Sequence, residues 1–148
     1  MLAQLALGSG IILLTILIGG FSVWAFETEL IVGHAWLTRP PHRIKMMAVL
    51  SLAAIWVILL FTVGVWIWAA TFLLLDVFDS FEVALYFALV SYTTLGFGDI
   101  LLPQEWRLLA GMASANGLLS MGIYTAILIE VVRQVRILQA EAIRESRR

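Results

Sequence analysis

Three stretches of the chain carry no charged side chain: Met1 to Phe26, Met46 to Leu75 and Leu108 to Ile129. Each is long enough for a helix to cross a bilayer, whose hydrocarbon core of about 30 Å takes about 20 helical residues. Hydrocarbon supplies no hydrogen bonds, so a backbone at that depth must satisfy its own polar groups, and uncharged stretches of this length fold as spanning helices. Of 148 residues, 62% are hydrophobic and 13% charged, far from the roughly 45–50% and about 25% of a soluble domain. The expected class is therefore an all-α membrane protein with the lipid bilayer as its surroundings. A net charge of −1 without a basic patch gives no nucleic-acid partner. Cysteine is absent, which excludes disulfides and thiolate metal sites. The chain has no phosphate-binding loop, HExxH, CxxC or Gly-x-Ser-x-Gly, so neither an enzyme nor a bound cofactor is expected.

A fourth apolar piece, Phe81 to Leu95, is too short to span, carries Glu82 in its first turn and runs into Gly96, Gly98 and Asp99. Between two spans it reads as a re-entrant helix and loop, tolerable at membrane depth where it lines water or is buried in protein. Charges flanking the spans give an orientation. Arg39, Arg43 and Lys45 lie in the loop from Glu27 to Lys45, and Arg133, Arg136, Arg144, Arg147 and Arg148 follow the last span. Both are cytoplasmic by the positive-inside rule. Asp76, Asp79, Glu82, Asp99 and Glu105 outnumber Arg107 around the re-entrant piece and suit the outer side. A multi-pass protein of the cell membrane is expected, N-terminus outside and C-terminus cytoplasmic. The first span lacks a positive leading region and a small-x-small cleavage site, so it is read as a retained helix. Trp66 and Trp68, with Trp24 and Trp36, suit aromatic belts at the two interfaces. Thr28 to Leu37, stopped by Pro40-Pro41, reads as an interfacial helix.

The segment Ser91-Tyr92-Thr93-Thr94-Leu95-Gly96-Phe97-Gly98-Asp99 resembles the selectivity filter of potassium-channel pores, the threonine–glycine–aromatic–glycine loop that the general rule for such filters takes as its own example. The resemblance covers roughly Lys45 to Arg136, the two-helix pore module. It implies a homotetramer in which backbone carbonyls of Thr94, Leu95, Gly96 and Phe97, with the Thr94 hydroxyl, coordinate K+ as the permeant ion. Gly98 and Asp99 close the filter, Asp99 matching the acid at its outer mouth and Tyr86 the aromatic that bonds this acid in many members. Independently of the resemblance, Gly96 and Gly98 supply backbone angles that residues with a Cβ reach only at a cost. A short helix ending at the filter turns the negative end of its dipole toward a cation. Leu95 stands where valine or isoleucine is usual and Phe97 where tyrosine is usual. Val90 takes a place where some members carry a buried glutamate.

The implied organisation is an extra spanning helix over 1–26, a cytoplasmic linker with the interfacial helix over 27–45, and a pore module over 46–132. Within that module the outer helix is 46–75, the pore helix 81–93, the filter 94–99 and the inner helix 106–132. A helical cytoplasmic tail over 133–148 follows. Gly117 and Gly122 in the inner helix serve either a gating bend or close helix packing. On the family pattern Leu118, Met121 and Thr125 face the central cavity and Ile129 lies near the inner constriction. Asn116 requires a polar partner within its apolar helix, and an interhelical hydrogen bond is expected. Glu130 is expected to pair with Arg133 or Arg136. Val131, Val135, Leu138 and Ala142 recur at helical spacing and allow a self-associating bundle or a solvated helix. His34 and His42 are read as interfacial residues of the linker. The function implied is passive potassium conduction; a nonselective cation channel and a non-conducting membrane assembly subunit are the alternatives. The extra span is expected to pack outside the pore module as a peripheral collar.

Overall fold

The structure, a computed structural model, describes residues 1–32 and 41–145. The later part of the expected interfacial helix, with His34, Trp36 and Arg39, lies outside the described residues, as do Arg147 and Arg148. The architecture is all-α: α1 (Leu2–Val32), α2 (His42–Leu74), the short α3 (Phe81–Tyr92), a 3-10 turn (Gln104–Trp106) and α4 (Arg107–Glu145). The three long helices are apolar enough to cross a membrane within Leu2–Ala25, His42–Leu74 and Gln104–Glu141. With 33 residues in α2 and 39 in α4, at about 1.5 Å per residue these two outreach a hydrocarbon core of about 30 Å.

Several boundaries differ from those expected. Helix α1 runs without a break at Glu27, taking in residues 28–32 of the expected interfacial helix. Helix α4 passes through Arg133 uninterrupted, so inner helix and tail are one rod. Helix α3 starts where the Ser80 hydroxyl accepts a hydrogen bond from the Val83 amide at 3.3 Å, satisfying one of the orphan donors of a helix start.

Helices α1 and α4 run parallel to each other and antiparallel to α2. The α1–α4 seam descends from the Gln4 amide donating to the Glu105 carbonyl, through Thr15 beside Asn116, to Gly19 facing Ile123. Ser22 accepts from the Trp56 indole, joining α1 to α2. The extra span is thus seated directly on α4. At the far end of the α2–α4 pair, Gln139 donates to the His42 carbonyl at 2.9 Å.

Two cores result. One, at the end of the bundle that holds α3, gathers Trp68, Phe72, Phe87, Tyr92 and Leu109 around Ala84, Ala88 and Ala113. The other, toward the opposite end, gathers Val49, Ala53, Leu60, Tyr124, Ile127, Val131 and Val135. The tail stripe therefore finds its partner inside the chain: Val131 and Val135 are buried against α2 with Leu138 beside them, which removes the face that a self-associating bundle would use. Trp68 is likewise no interfacial anchor. It is wholly buried and tilted against Phe72 at 5.8 Å, whereas Trp66 and Trp24 are exposed. Leu13, Leu17 and Phe21 on α1 and Leu52, Ile55, Ile58 and Leu59 on α2 are also exposed. Apolar surface so extensive suits lipid and not water.

Candidate functional site

Helix α3 is wedged between α2 and α4 near their loop-connected ends, and its C-terminus leads straight into Thr93 to Asp99. The turn is a Schellman motif. The Leu95 amide donates to the Val90 carbonyl at 3.0 Å and the Thr94 amide to the Ser91 carbonyl at 2.9 Å, with the Gly96 amide also reaching Val90 at 3.2 Å. That motif needs a left-handed residue one past the cap, a place usually held by glycine. Here it is Thr94, with φ of 59°. Helix α2 ends the same way: Asp76 at φ 50°, Val77 bonded to Phe72 and Asp76 to Leu73. Aspartate tolerates the left-handed region comparatively well, whereas a β-branched residue there is an outlier costing roughly 1–2 kcal/mol. Strain of this kind persists only where the surroundings enforce it, and it concentrates at functional sites.

The left-handed conformation recurs at Gly96 (φ 55°) and Gly98 (φ 75°), while Leu95 and Phe97 between them are not left-handed. Positive φ thus alternates along Thr94 to Gly98, and glycine holds two of the three positions at which a Cβ would be strained. Thr94 to Asp99 are all exposed, and the side chains of Leu95 and Phe97 are 58% and 65% exposed.

Behind the loop, a cavity of about 370 Å³ is lined by Tyr86, Val90, Gly98, Asp99, Arg107 and Ser114, among others. The Tyr86 hydroxyl donates to Asp99 Oδ2 at 2.6 Å. This bond, aided by the backbone amides of Asp99 and Ile100, holds the Asp99 carboxyl below the ordinary carboxylate range. The loop's end is thus anionic and tied to the first half of α3.

Tyr92, named in the sequence only as the end of the short helix, is the residue on which the site rests. Its hydroxyl donates to Ser120 Oγ at 2.8 Å, its ring meets Phe61 edge-on at 5.4 Å, and it is fully buried. Both neighbours make room with glycine. A Cβ on Gly64 would lie 2.6 Å from the Tyr92 hydroxyl, and one on Gly117 only 1.7 Å from the Tyr92 carbonyl oxygen. Gly117 is therefore in close packing contact with the Tyr92 backbone. Gly122 has no neighbour within 4 Å. Ser120 one turn beyond Asn116, within the charge-free stretch Leu108 to Ile129, was the available signal for this contact.

Asn116 makes the expected interhelical contact, its Oδ1 accepting from Thr15 at 2.8 Å. Glu130 pairs with Arg133 through both carboxylate oxygens, at 2.7 and 2.8 Å. Leu118, Gly122, Thr125 and Ile129 form an exposed stripe down α4, with Met121 half-buried beside it; Leu118 is 65% and Ile129 64% exposed.

No curated protein and no solved structure matches the chain. The sequence model of the family described as "Ion channel" matches residues 46–134, from the start of the second uncharged stretch to just past Glu130. The match takes in α3, the loop and the exposed stripe of α4, and it leaves α1 outside. This multi-pass membrane chain belongs to the ion-channel family.

Proposed function

We propose that the chain is one subunit of a homotetrameric, potassium-selective channel, with Thr94 to Asp99 as its filter. The observation that carries this reading is the alternation of left-handed backbone at Thr94, Gly96 and Gly98, and the filter needs the carbonyls of Thr94, Leu95, Gly96 and Phe97 on one side. Four such strands around an axis would make stacked rings of oxygen able to replace the water of a dehydrated potassium ion. The loop is exposed on the side that a fourfold axis would occupy. Asp99 adds negative charge at the outer mouth, and Leu118, Thr125 and Ile129 line the water-filled path below. Neighbouring subunits bury Leu95 and Phe97 and close the cavity behind the loop. The basic residues that follow the last uncharged stretch, from Arg133 on, orient the C-terminus to the cytoplasm. Because α1 and α4 run parallel, the N-terminus then lies outside, on the filter's side.

Purified protein in planar bilayers with unequal potassium on the two sides should give a reversal potential that follows the potassium gradient in the presence of sodium. A reversal potential near zero under those conditions means a nonselective pore. Gly96→Ala isolates backbone conformation, because no atom of the chain lies within 4 Å of the added Cβ while φ of +55° strains it. Loss of flux with intact tetramers is expected. Unchanged flux would sink the filter assignment and leave a non-conducting or differently conducting subunit.

A further inference from the structure

The extra helix α1 lies outside the family match, yet it makes a buried polar contact at the level where the pore helix ends. Thr15, Asn116, Ser120 and Tyr92 are all buried. They form one chain of hydrogen bonds in which each hydroxyl donates once. Tyr92 donates to Ser120 at 2.8 Å, Ser120 to Asn116 Oδ1 at 3.4 Å, and Thr15 to the same Oδ1 at 2.8 Å. Three helices meet here: α1 through Thr15, α4 through Asn116 and Ser120, and α3 through Tyr92. Thr94, the first left-handed residue of the loop, is two residues beyond Tyr92.

The single Thr15 proton has another acceptor 2.9 Å away, the Ile12 carbonyl of its own helix, so the bond from α1 across to Asn116 competes with one inside α1. Asn116 Nδ2 is buried without a partner among the described residues. Gly117 pressed on the Tyr92 carbonyl means that any shift of α4 at this turn is also felt by the backbone at the filter's entrance.

We propose that α1 is a regulatory helix of the pore, which clamps α4 through Thr15 and Asn116 and so sets, through Ser120 and Tyr92, how firmly the entrance to the filter is held. This rests on the channel reading of the loop. A displacement of α1, by lateral membrane tension or by a partner in the bilayer, reaches the filter by this route without touching the ion path.

Thr15→Val removes the hydroxyl and keeps the shape. Single-channel recordings of the full-length variant in planar bilayers should show mean open time changed by roughly threefold to tenfold, the range set by the net worth of one buried hydrogen bond, at unchanged unitary conductance and selectivity. Tyr92→Phe should shift open time in the same direction, and the double variant should fall short of the product of the two effects, as members of one network do. Ser22→Ala, which removes a polar contact of α1 with Trp56 of α2, should leave gating as it is. Open times unaltered in Thr15→Val, or effects of the two variants that multiply, would overturn the proposal. Hydrogen exchange at the Leu95 and Gly96 amides separates it from the pore reading. Should the unmodified chain pass no potassium, faster exchange there in Thr15→Val still supports the clamp, and identical exchange rejects it.

Discussion

In the half of the bundle that holds α3, Trp68, Phe72, Phe87 and Tyr92 interlock over Ala84, Ala88 and Ala113, whereas the opposite half is held by Val49, Ala53, Leu60, Ile127, Val131 and Val135, with Tyr124 as its buried ring. Aromatic rings meet at fixed edge and tilt angles, as Phe72 does with Phe87 at 5.3 Å and 83°, and each ring has few alternative seats. Aliphatic side chains on facing helices slide past one another with less loss. The strained loop is thus mounted on the half whose side chains have the fewer alternative seats.

The largest test of the contrast is at the glycines of α4. Gly117→Ala should destabilise the chain by about 3 kcal/mol or more, because the new methyl meets the Tyr92 backbone at 1.7 Å and neither side can yield. Gly122→Ala, with nothing within 4 Å, should keep the fold. Recovery of assembled protein and its thermal unfolding by circular dichroism distinguish the two, and a stable Gly117→Ala would refute the tight mount. Next in size is a pair of core truncations. Phe72→Ala should cost about 3 kcal/mol, since its ring touches Trp68, Phe78 and Phe87. Val135→Ala should cost roughly 1.6 kcal/mol, about 0.8 for each of the two buried carbons removed, and equal losses in denaturant titrations would erase the difference between the halves.

The smallest effect concerns the outer mouth. Because hydrogen bonding depresses the Asp99 carboxyl, its contribution is present above the titration of a free carboxylate, about pH 4, and is lost as pH falls through the lower folded value. Conductance should hold as the outer solution is acidified through the ordinary carboxylate range and decline only below it. Tyr86→Phe removes the largest cause of the depression and should move that decline to higher pH. A titration curve that Tyr86→Phe leaves in place would mean that the Tyr86 bond does not set the charge at the mouth.

Much of this was legible in the chain. The absence of charge over three long stretches gave the spans, and the short apolar piece ahead of Gly96 and Gly98 gave α3 and its loop. The Tyr86–Asp99 contact was expected only through the family resemblance, because thirteen residues of separation carry no helical or strand register. Trp66 and Trp68 differ by two positions and look alike in sequence, yet one faces outward and the other is sealed in the core. Gly117 and Gly122 offered the same ambiguity, and only the position of the Tyr92 carbonyl separates them.

The sequence by itself determined which stretches are long and apolar enough to cross the bilayer, which residues form the short helix and loop, and that Gly96 and Gly98 give the loop its conformational freedom. Those features follow from local chemistry: charge is excluded from hydrocarbon, and glycine relieves the backbone. Only the tertiary structure decided that α1 seats on α4, that the tail stripe packs on α2, and that Tyr92 joins three helices. The physical reason is that a spanning helix is apolar on every side. Its periodicity then carries no direction, and lipid and protein neighbours look the same from the sequence until the helices are packed.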